Sequence, residues 1–282
     1  MKKYILLILI YYLFLLIARI NSLAQKPEFV MRVLDVGQGD SILMDYKGTF
    51  KILVDAGTGE NIEDHLLKYF MFPVCNLDII YITHLHSDHF GGMLPVLDKC
   101  NIGILWFNDV PLTTKVYRAF KQKIDENKNI NKVLTSISAG NKIEFGALKI
   151  IALWPTNGFI KNLKSTDDLN QASTVLFIDY KDFEALLTGD AESKVLDLID
   201  WTQVIPLIQG GLDVLKVPHH GSKGGVTAKF LLDLKPKVCV ISVGKENRYD
   251  HPDGTTLSFL KDAGCEIRRT DVEGTIEFKV NL

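Results

Sequence analysis

Residues 77–89, LDIIYITHLHSDH, constrain this chain more than any other segment. The first half is an apolar run broken only by Asp78, the pattern of a strand covered on both faces within a layered α/β body. The second half places His84, His86, Asp88 and His89 where that strand ends. Strand ends are where α/β folds position their sites. In extended backbone His84 and His86 project to the same side, and a turn into helix swings Asp88 and His89 towards a neighbouring point. Two imidazoles for one ion, and a carboxylate with an imidazole for a second, is the donor chemistry of a dinuclear site. Phe90-Gly91-Gly92 allows the helix to begin tightly.

The remaining chain repeats one grammar. EFVMRVL, SILMDY and FKILVDAG read as strands, and ENIEDHLLKYF as a helix with Ile62, Leu66, Leu67 and Phe70 on one stripe. IGILWF is a further strand, and residues 112–128 are amphipathic and helical in pattern. In the second half ALKIIALWP, STVLFIDY, FEALLTGD, DVLKVP and KVCVISVG read as strands, and ESKVLDLID, TAKFLLDLK and TTLSFLKDAG as helices. Two short strands near 265–269 and 274–280 close the chain, and 155–172 is a polar irregular stretch. Strands cluster and then alternate with helices in each half, which predicts an α/β body of four layers, αββα. Two further strand ends offer ligands: Asp190 after FEALLTG, and His219-His220 after DVLKVP.

These strings resemble the metallo-β-lactamase-fold hydrolases, most closely the hydrolase domain of ComEC-type competence proteins that import DNA. The resemblance rests on LDVGQGDSILM, ILVDAG, THLHSDHFGG, NQASTVLFIDY, LLTGDAE, DVLKVPHHGS, ENRYDHP and RRTDVEGTIEF, in family order across residues 33–278. It extends to secreted phosphorylcholine esterases of the same fold. It implies a four-layer αββα sandwich holding two divalent ions, zinc or manganese. His84 and His86 would bind one ion, Asp88, His89 and His220 the other, with Asp190 bridging. Asp55 would brace the histidine loop. In related enzymes the first histidine of PHHGS faces the substrate, so His219 is expected to donate to a phosphoryl oxygen or leaving group.

The chain departs from many family members in having no histidine between 89 and 219. Asn170 and Ser173 match an Asn-x-x-Ser element there, leaving the first ion with His84, His86 and Asp190, supplemented by water or Asn170. His251, before a helix N-terminus, and Asn247 are expected to contact substrate phosphate. Asp35, Gln38 and Asp40 either line the cleft or form its turns. His65 belongs to a helix surface or rim, and Trp106 and Trp154 to the core. The pairs Arg268-Arg269 and Lys216 with Lys223 offer a small phosphate-binding patch.

Residues 1–24 read as a separate leader. Lys2 and Lys3 precede an apolar run over 4–18, then Arg19 and the small residues Ser22 and Ala24. The run spans about 22 Å as a helix, short of the ~30 Å hydrocarbon core. It is a secretory signal peptide or an anchor over residues 4–23, which gives an exported hydrolase domain of 25–282, periplasmic or extracellular. Without Lys2, Lys3 and Arg19 the net charge falls from −2 to −5, which does not favour duplex nucleic acid. Cys75, Cys100, Cys239 and Cys265 are given no chemistry. Export permits disulfides in any of three pairings, and Cys239, inside an apolar strand, reads as a buried free thiol.

The expected activity is metal-dependent hydrolysis by a metal-bound hydroxide, with Asp88 and His219 in the catalytic machinery. A phosphodiesterase or nuclease-like reaction comes first. An acyl or lactone esterase is the alternative, and a non-catalytic binding component of a DNA-uptake or envelope assembly is the reading from another class. The expected partner is a phosphoester or other ester substrate, with nucleic acid one form of it and membrane contact confined to the leader.

Overall fold

The computed structural model describes residues 11–13, 27–59, 61–70, 75–208 and 210–281; the expected leader lies otherwise outside them. The first half comprises β1 (Phe29–Val33), β2 (Ile42–Tyr46), β3 (Phe50–Val54), α1 (Ile62–Tyr69), β4 (Cys75–Ile82), α2 (Ser87–Phe90), α3 (Met93–Lys99), β5 (Cys100–Phe107), α4 (Lys115–Glu126) and β6 (Ile130–Leu134). The second contains β7 (Lys142–Phe145), β8 (Leu148–Trp154), α5 (Asn157–Asn162), β9 (Val175–Tyr180), β10 (Phe183–Leu187), α6 (Ser193–Leu196), β11 (Val214–Lys216), α7 (Ala228–Leu234), β12 (Val238–Ile241), α8 (Gly254–Asp262), β13 (Glu266–Arg269), α9 (Thr270–Glu273) and β14 (Ile276–Val280).

Two seven-stranded sheets result, ordered β14-β1-β2-β3-β4-β5-β6 and β13-β12-β11-β10-β9-β8-β7. Each joins an antiparallel meander to parallel strands: β3 through β6 run parallel in one, β10 through β13 in the other. The final strand, β14, pairs with β1 and so returns the C-terminus to the first sheet.

Period-two alternation sorts the side chains into layers. Ile42 and Met44 of β2 face a core between the sheets, which also receives Ala185 and Leu187 of β10. Leu43 points the other way, into a core with Leu66, Val96 and Phe120 from the helices of the first half. Leu186 likewise enters a third core with Leu196, Phe230 and Leu260. Three apolar layers between four structural ones make the αββα sandwich. Trp106 and Trp154 are buried in it.

Several local expectations are corrected. Leu67 is half exposed, so the α1 stripe is narrower than its composition suggested. β6 and β7, INKVL and KIEF, are edge-side strands of mostly exposed residues and lack the apolar run that marks a covered strand. The stretch 155–172 contains α5 and a 3₁₀ turn at Leu169–Ala172, and ESKVLDLID forms one helical turn. Cys239 is bonded to Cys265, and Cys75 to Cys100, so it is no free thiol. The first ties the parallel strands β4 and β5, Cys75 and Cys100 being register partners, and the second ties β12 to the residue just before β13. Among the described residues no helix is long and apolar enough to cross a membrane.

Candidate metal centre

The site is assembled from the ends of five parallel-running strands: β3, β4, β10, β11 and β12. Asp55 follows β3 in the left-handed region, φ 58°, and its carboxylate reaches across to the end of β4. There Oδ1 accepts from the Thr83 N–H (2.8 Å), and Oδ2 accepts from the Thr83 hydroxyl (2.6 Å) and from His89 Nδ1 (2.8 Å). These bonds fold the His84–His89 segment back over the sheet. Gly92 allows the close approach that follows, since a Cβ there would lie 2.0 Å from the Ala56 carbonyl oxygen.

The bridging carboxylate comes from the opposite sheet. Gly189, φ 50°, turns the chain after β10 beside Thr83, and the Asp190 N–H donates to Ser173 Oγ (3.1 Å). Ser173 Oγ also meets His84 Nδ1 (3.1 Å). After β11, His219 and His220 are successively left-handed, φ 47° and 53°. Such geometry costs non-glycine residues roughly 1–2 kcal/mol each and is concentrated at functional sites. His220 Nδ1 donates to the Ser242 carbonyl (2.8 Å) just beyond β12.

The Nδ1 bonds turn the Nε2 atoms inward. Asp190 Oδ1 lies 3.2 Å from His89 Nε2 and 3.6 Å from His220 Nε2, and Asp88 Oδ2 lies 3.4 Å from His220 Nε2. Asp190 Oδ2 lies 3.8 Å from His84 Nε2. Two ligand sets follow, Asp88-His89-Asp190-His220 and His84-His86-Asp190, each with its donor atoms within 4.8 Å of one another. The donors fit divalent ions. His84 Nε2, His89 Nε2, His220 Nε2 and Asp190 Oδ1 are buried without a hydrogen-bond partner. Orphaned groups of this kind cost about 1–3 kcal/mol each unless something satisfies them.

The site's electrostatics show the same concentration of charge. Burial alone would raise the Asp190 carboxyl, but the surrounding His89 and His220 hold it well below the usual range. Burial works against protonated His89 too, yet Asp190 and Asp55 on either side raise it well above 6.5. His220, also buried, is carried to about 9 by Asp190, Asp40 and Asp88. His84 moves the other way, pushed well down by burial and then by the charge on His89. Ions at these positions would displace the protons that the metal-free cluster retains.

A cleft of about 340 Å³ opens over the cluster, with Gln38, Asn170, His219, Tyr249 and His251 among its lining. Asn247 is not there. Its amide donates to the Gly244 and His251 carbonyls and its oxygen accepts from the Tyr249 and His251 N–H groups, so its polar atoms brace its own loop. Asp35 lies outside the cleft, and His65 donates from α1 to the Asp35 carbonyl (2.9 Å). Asp40 sits beneath His220 with Lys216 Nζ 2.7 Å away, both fully buried. Lys216 therefore belongs to no surface patch, and Arg268 and Arg269 are paired with Glu273 and Asp271.

Sequence reasoning missed three supports of the site. Glu192, two residues beyond Asp190, accepts from His219 Nδ1 (2.7 Å). Ser242 and the Asp40–Lys216 pair lie under His220. The GDAE string contained Glu192 in plain view, but nothing in one sequence indicates which way a carboxylate after a turn points.

Residues 34–245 match the family model of the Metallo-beta-lactamase superfamily. ComE operon protein 3 of Bacillus subtilis (strain 168) is 28% identical over 275 residues, covering 90% of this chain and 33% of that protein. Competence protein ComA of Neisseria gonorrhoeae is 27% identical over 256 residues, covering 90% of this chain and 32% of that protein. The chain thus spans about a third of the length of these relatives. The metallo-beta-lactamase fold protein YhfI of Bacillus subtilis superposes with a TM-score of 0.57 over 89% of this chain and 99% of that one, a likeness of fold at 12% identity. With two sheets flanked by helices, His and Asp clusters able to hold metal ions at their strand ends, and a family match over most of its length, the chain belongs to the metallo-β-lactamase superfamily.

Proposed function

We propose that this chain is a dinuclear metal-dependent hydrolase acting on phosphodiesters. The supporting observation is the convergence of the buried, unpartnered Nε2 atoms of His84, His89 and His220 on Asp190, from loops that together span more than a hundred residues of sequence. A structure that only bound a partner would have no use for so many costly orphan donors.

The ligands would be His84, His86 and Asp190 at one position and Asp88, His89, Asp190 and His220 at the other. Divalent ions there would polarise a phosphoryl oxygen and make water acidic enough to serve as nucleophile near neutral pH. This chain's own residues do the rest. Asp190, whose two oxygens face different histidines, would be shared between the two positions, while Asp55, Ser173 and Ser242 would hold the rings in the ligating tautomer. Asp88 and His220 close one wall, and His251, Asn170 and Gln38 line the opening where substrate oxygens would lie. Burial and then the neighbouring His219 push the His251 ring below its usual range. The absence of aliphatic side chains from this lining favours a phosphodiester over an acyl chain.

The resemblance to competence proteins that import DNA is the reason nucleic acid is put first among phosphodiesters. With Lys216 buried and Arg268 and Arg269 paired, a short or single-stranded substrate suits this cleft better than a duplex. Two disulfides support export to an oxidising compartment. The test is turnover of bis(p-nitrophenyl)phosphate and single-stranded DNA by chelator-treated protein with Mn²⁺ or Zn²⁺ restored. Turnover should require the ion and vanish in Asp190→Ala and His86→Ala. No turnover with either ion, or full turnover by Asp190→Ala, would overturn the proposal.

A further inference from the structure

Among the described residues that line the cleft, Tyr249 brings the only aromatic ring that is not a histidine. That ring is 48% exposed, an apolar surface left uncovered at the entrance to a polar site. It is nevertheless held in place. The Arg248 guanidinium donates to the Tyr249 hydroxyl (2.9 Å), and its carbon lies 5.0 Å from the ring centroid. Asn247 ties the loop together through Gly244, Tyr249 and His251. Between the two rings Asp250 turns the chain in the left-handed region, φ 53°, which aspartate tolerates. An exposed ring whose orientation is already settled loses little freedom when something stacks on it.

The second observation is where the ring stands. Tyr249 is the outer member of a row of rings that leads inward. It stacks on His251 with centroids 5.9 Å and planes 24° apart, His251 meets His219 at 5.6 Å, and His219 meets His220 at 6.0 Å. A phosphodiester over the metal cluster would therefore have an aromatic face a short way along its own chain. A phenol face offers nothing to a phosphate oxygen, whereas every nucleobase has a π-face to lay on it. Arg248 supplies the charge that such a strand also needs. It is exposed and, among the described residues, pairs with no carboxylate, unlike Arg268 and Arg269.

We propose that Tyr249 is a base-stacking residue: the substrate is a single-stranded nucleic acid, one base of which lies on the Tyr249 ring while Arg248 takes a neighbouring phosphate. This rests on the reading that a phosphodiester occupies the cleft. Stacking accepts any base, so the rim selects for the presence of a base and not for sequence. A duplex, whose bases are already stacked and paired, has none to offer. Tyr249 thus determines specificity and takes no part in breaking the bond.

The experiment is fluorescence anisotropy on the full-length protein with Mn²⁺. The probes are a short phosphorothioate oligothymidylate, which resists cleavage, and an abasic strand of equal length and backbone. The wild type should bind the base-bearing strand about 5- to 150-fold more tightly, the contribution of one base–aromatic stack. Tyr249→Ala should erase that difference by weakening the base-bearing strand alone, and Tyr249→Trp should restore it. Arg248→Gln should weaken both strands alike and lower the slope of log affinity against log salt by about 0.7; an unchanged slope would remove Arg248 from the proposal. Equal affinity of the wild type for the two strands, or equal loss of both in Tyr249→Ala, would overturn the inference. Turnover of bis(p-nitrophenyl)phosphate by the same preparation judges the hydrolase reading separately. Turnover without a preference for bases leaves that reading standing and ends the role of Tyr249, whereas a preference without turnover does the reverse.

Discussion

Replacing Asp55 by Asn isolates the link between a buried hydrogen bond and metal affinity. Asn tolerates the left-handed backbone, φ 58°, so the change leaves the turn unstrained. Asparagine oxygen can keep the Thr83 N–H bond, now 2.8 Å. Its NH₂ then replaces Oδ2, which accepts from the Thr83 hydroxyl and from His89 Nδ1. The hydroxyl can rotate and accept, but two N–H donors cannot face each other. His89 relieves the clash by giving up its Nδ1 proton and keeping the one on Nε2, where Asp190 Oδ1 waits 3.2 Å away. The lone pair that should meet the ion then carries hydrogen.

Losing one hydrogen bond to an ionised carboxylate costs about 1.5–3 kcal/mol, which is the expected fall in metal-free stability by urea denaturation in chelator. Metal affinity at the His89 position should fall about 10- to 100-fold, or roughly 1.4–2.7 kcal/mol, measured by competition with a chromophoric chelator. The His84 position should change less. Unaltered affinity for both ions in Asp55→Asn would refute the claim that Asp55 sets the His89 tautomer.

Removing the second disulfide with Cys239→Ala and Cys265→Ala, a separation of 26 residues, should cost about 3.5 kcal/mol by chain entropy; a urea midpoint unchanged from the oxidised wild type would contradict this. Lys216→Met strands the buried Asp40 carboxylate and should destabilise the fold by about 3–5 kcal/mol, whereas a loss below 1 kcal/mol would show that the pair contributes little. The Glu184 carboxyl is raised to about 7, chiefly by burial and then by Asp213. Its proton stays bound in the fold between pH 4.5 and 7, so the associated stability is present at low pH and lost as pH rises through 7. Glu184→Gln should match the wild type below pH 4.5 and exceed it by about 1 kcal/mol above pH 8, given solvent screening. Equal stability at both pH values counts against the shift.

What one sequence could say about the site depended on distance along the chain. His84, His86, Asp88 and His89 announce themselves because strand and helix periodicities act over a few residues, and the same periodicities mark the covered strands of both halves. Strings at Asp190 and His219-His220 carried the rest by resemblance. Their core-like runs also marked Trp106 and Trp154 as core. Exposed β6 and β7 escaped because an edge strand needs no apolar run, and the bonded Cys239 escaped because an apolar strand suits a free thiol equally well.

Tertiary structure decided whatever depends on direction at long range. Asn247 and Asp190 are both polar residues near turns, yet one turns back to its own loop and the other projects between four imidazoles. Lys216 looked like surface charge and proved to be a buried partner of Asp40. Glu192 and Ser242 became supports of His219 and His220 only when β10, β11 and β12 were laid side by side. The sequence alone determined the donor types, the layered architecture and the strand ends that carry them. Which nitrogen faces which oxygen was left to the folded chain, because a side chain's direction is set by neighbours that packing supplies and sequence proximity does not.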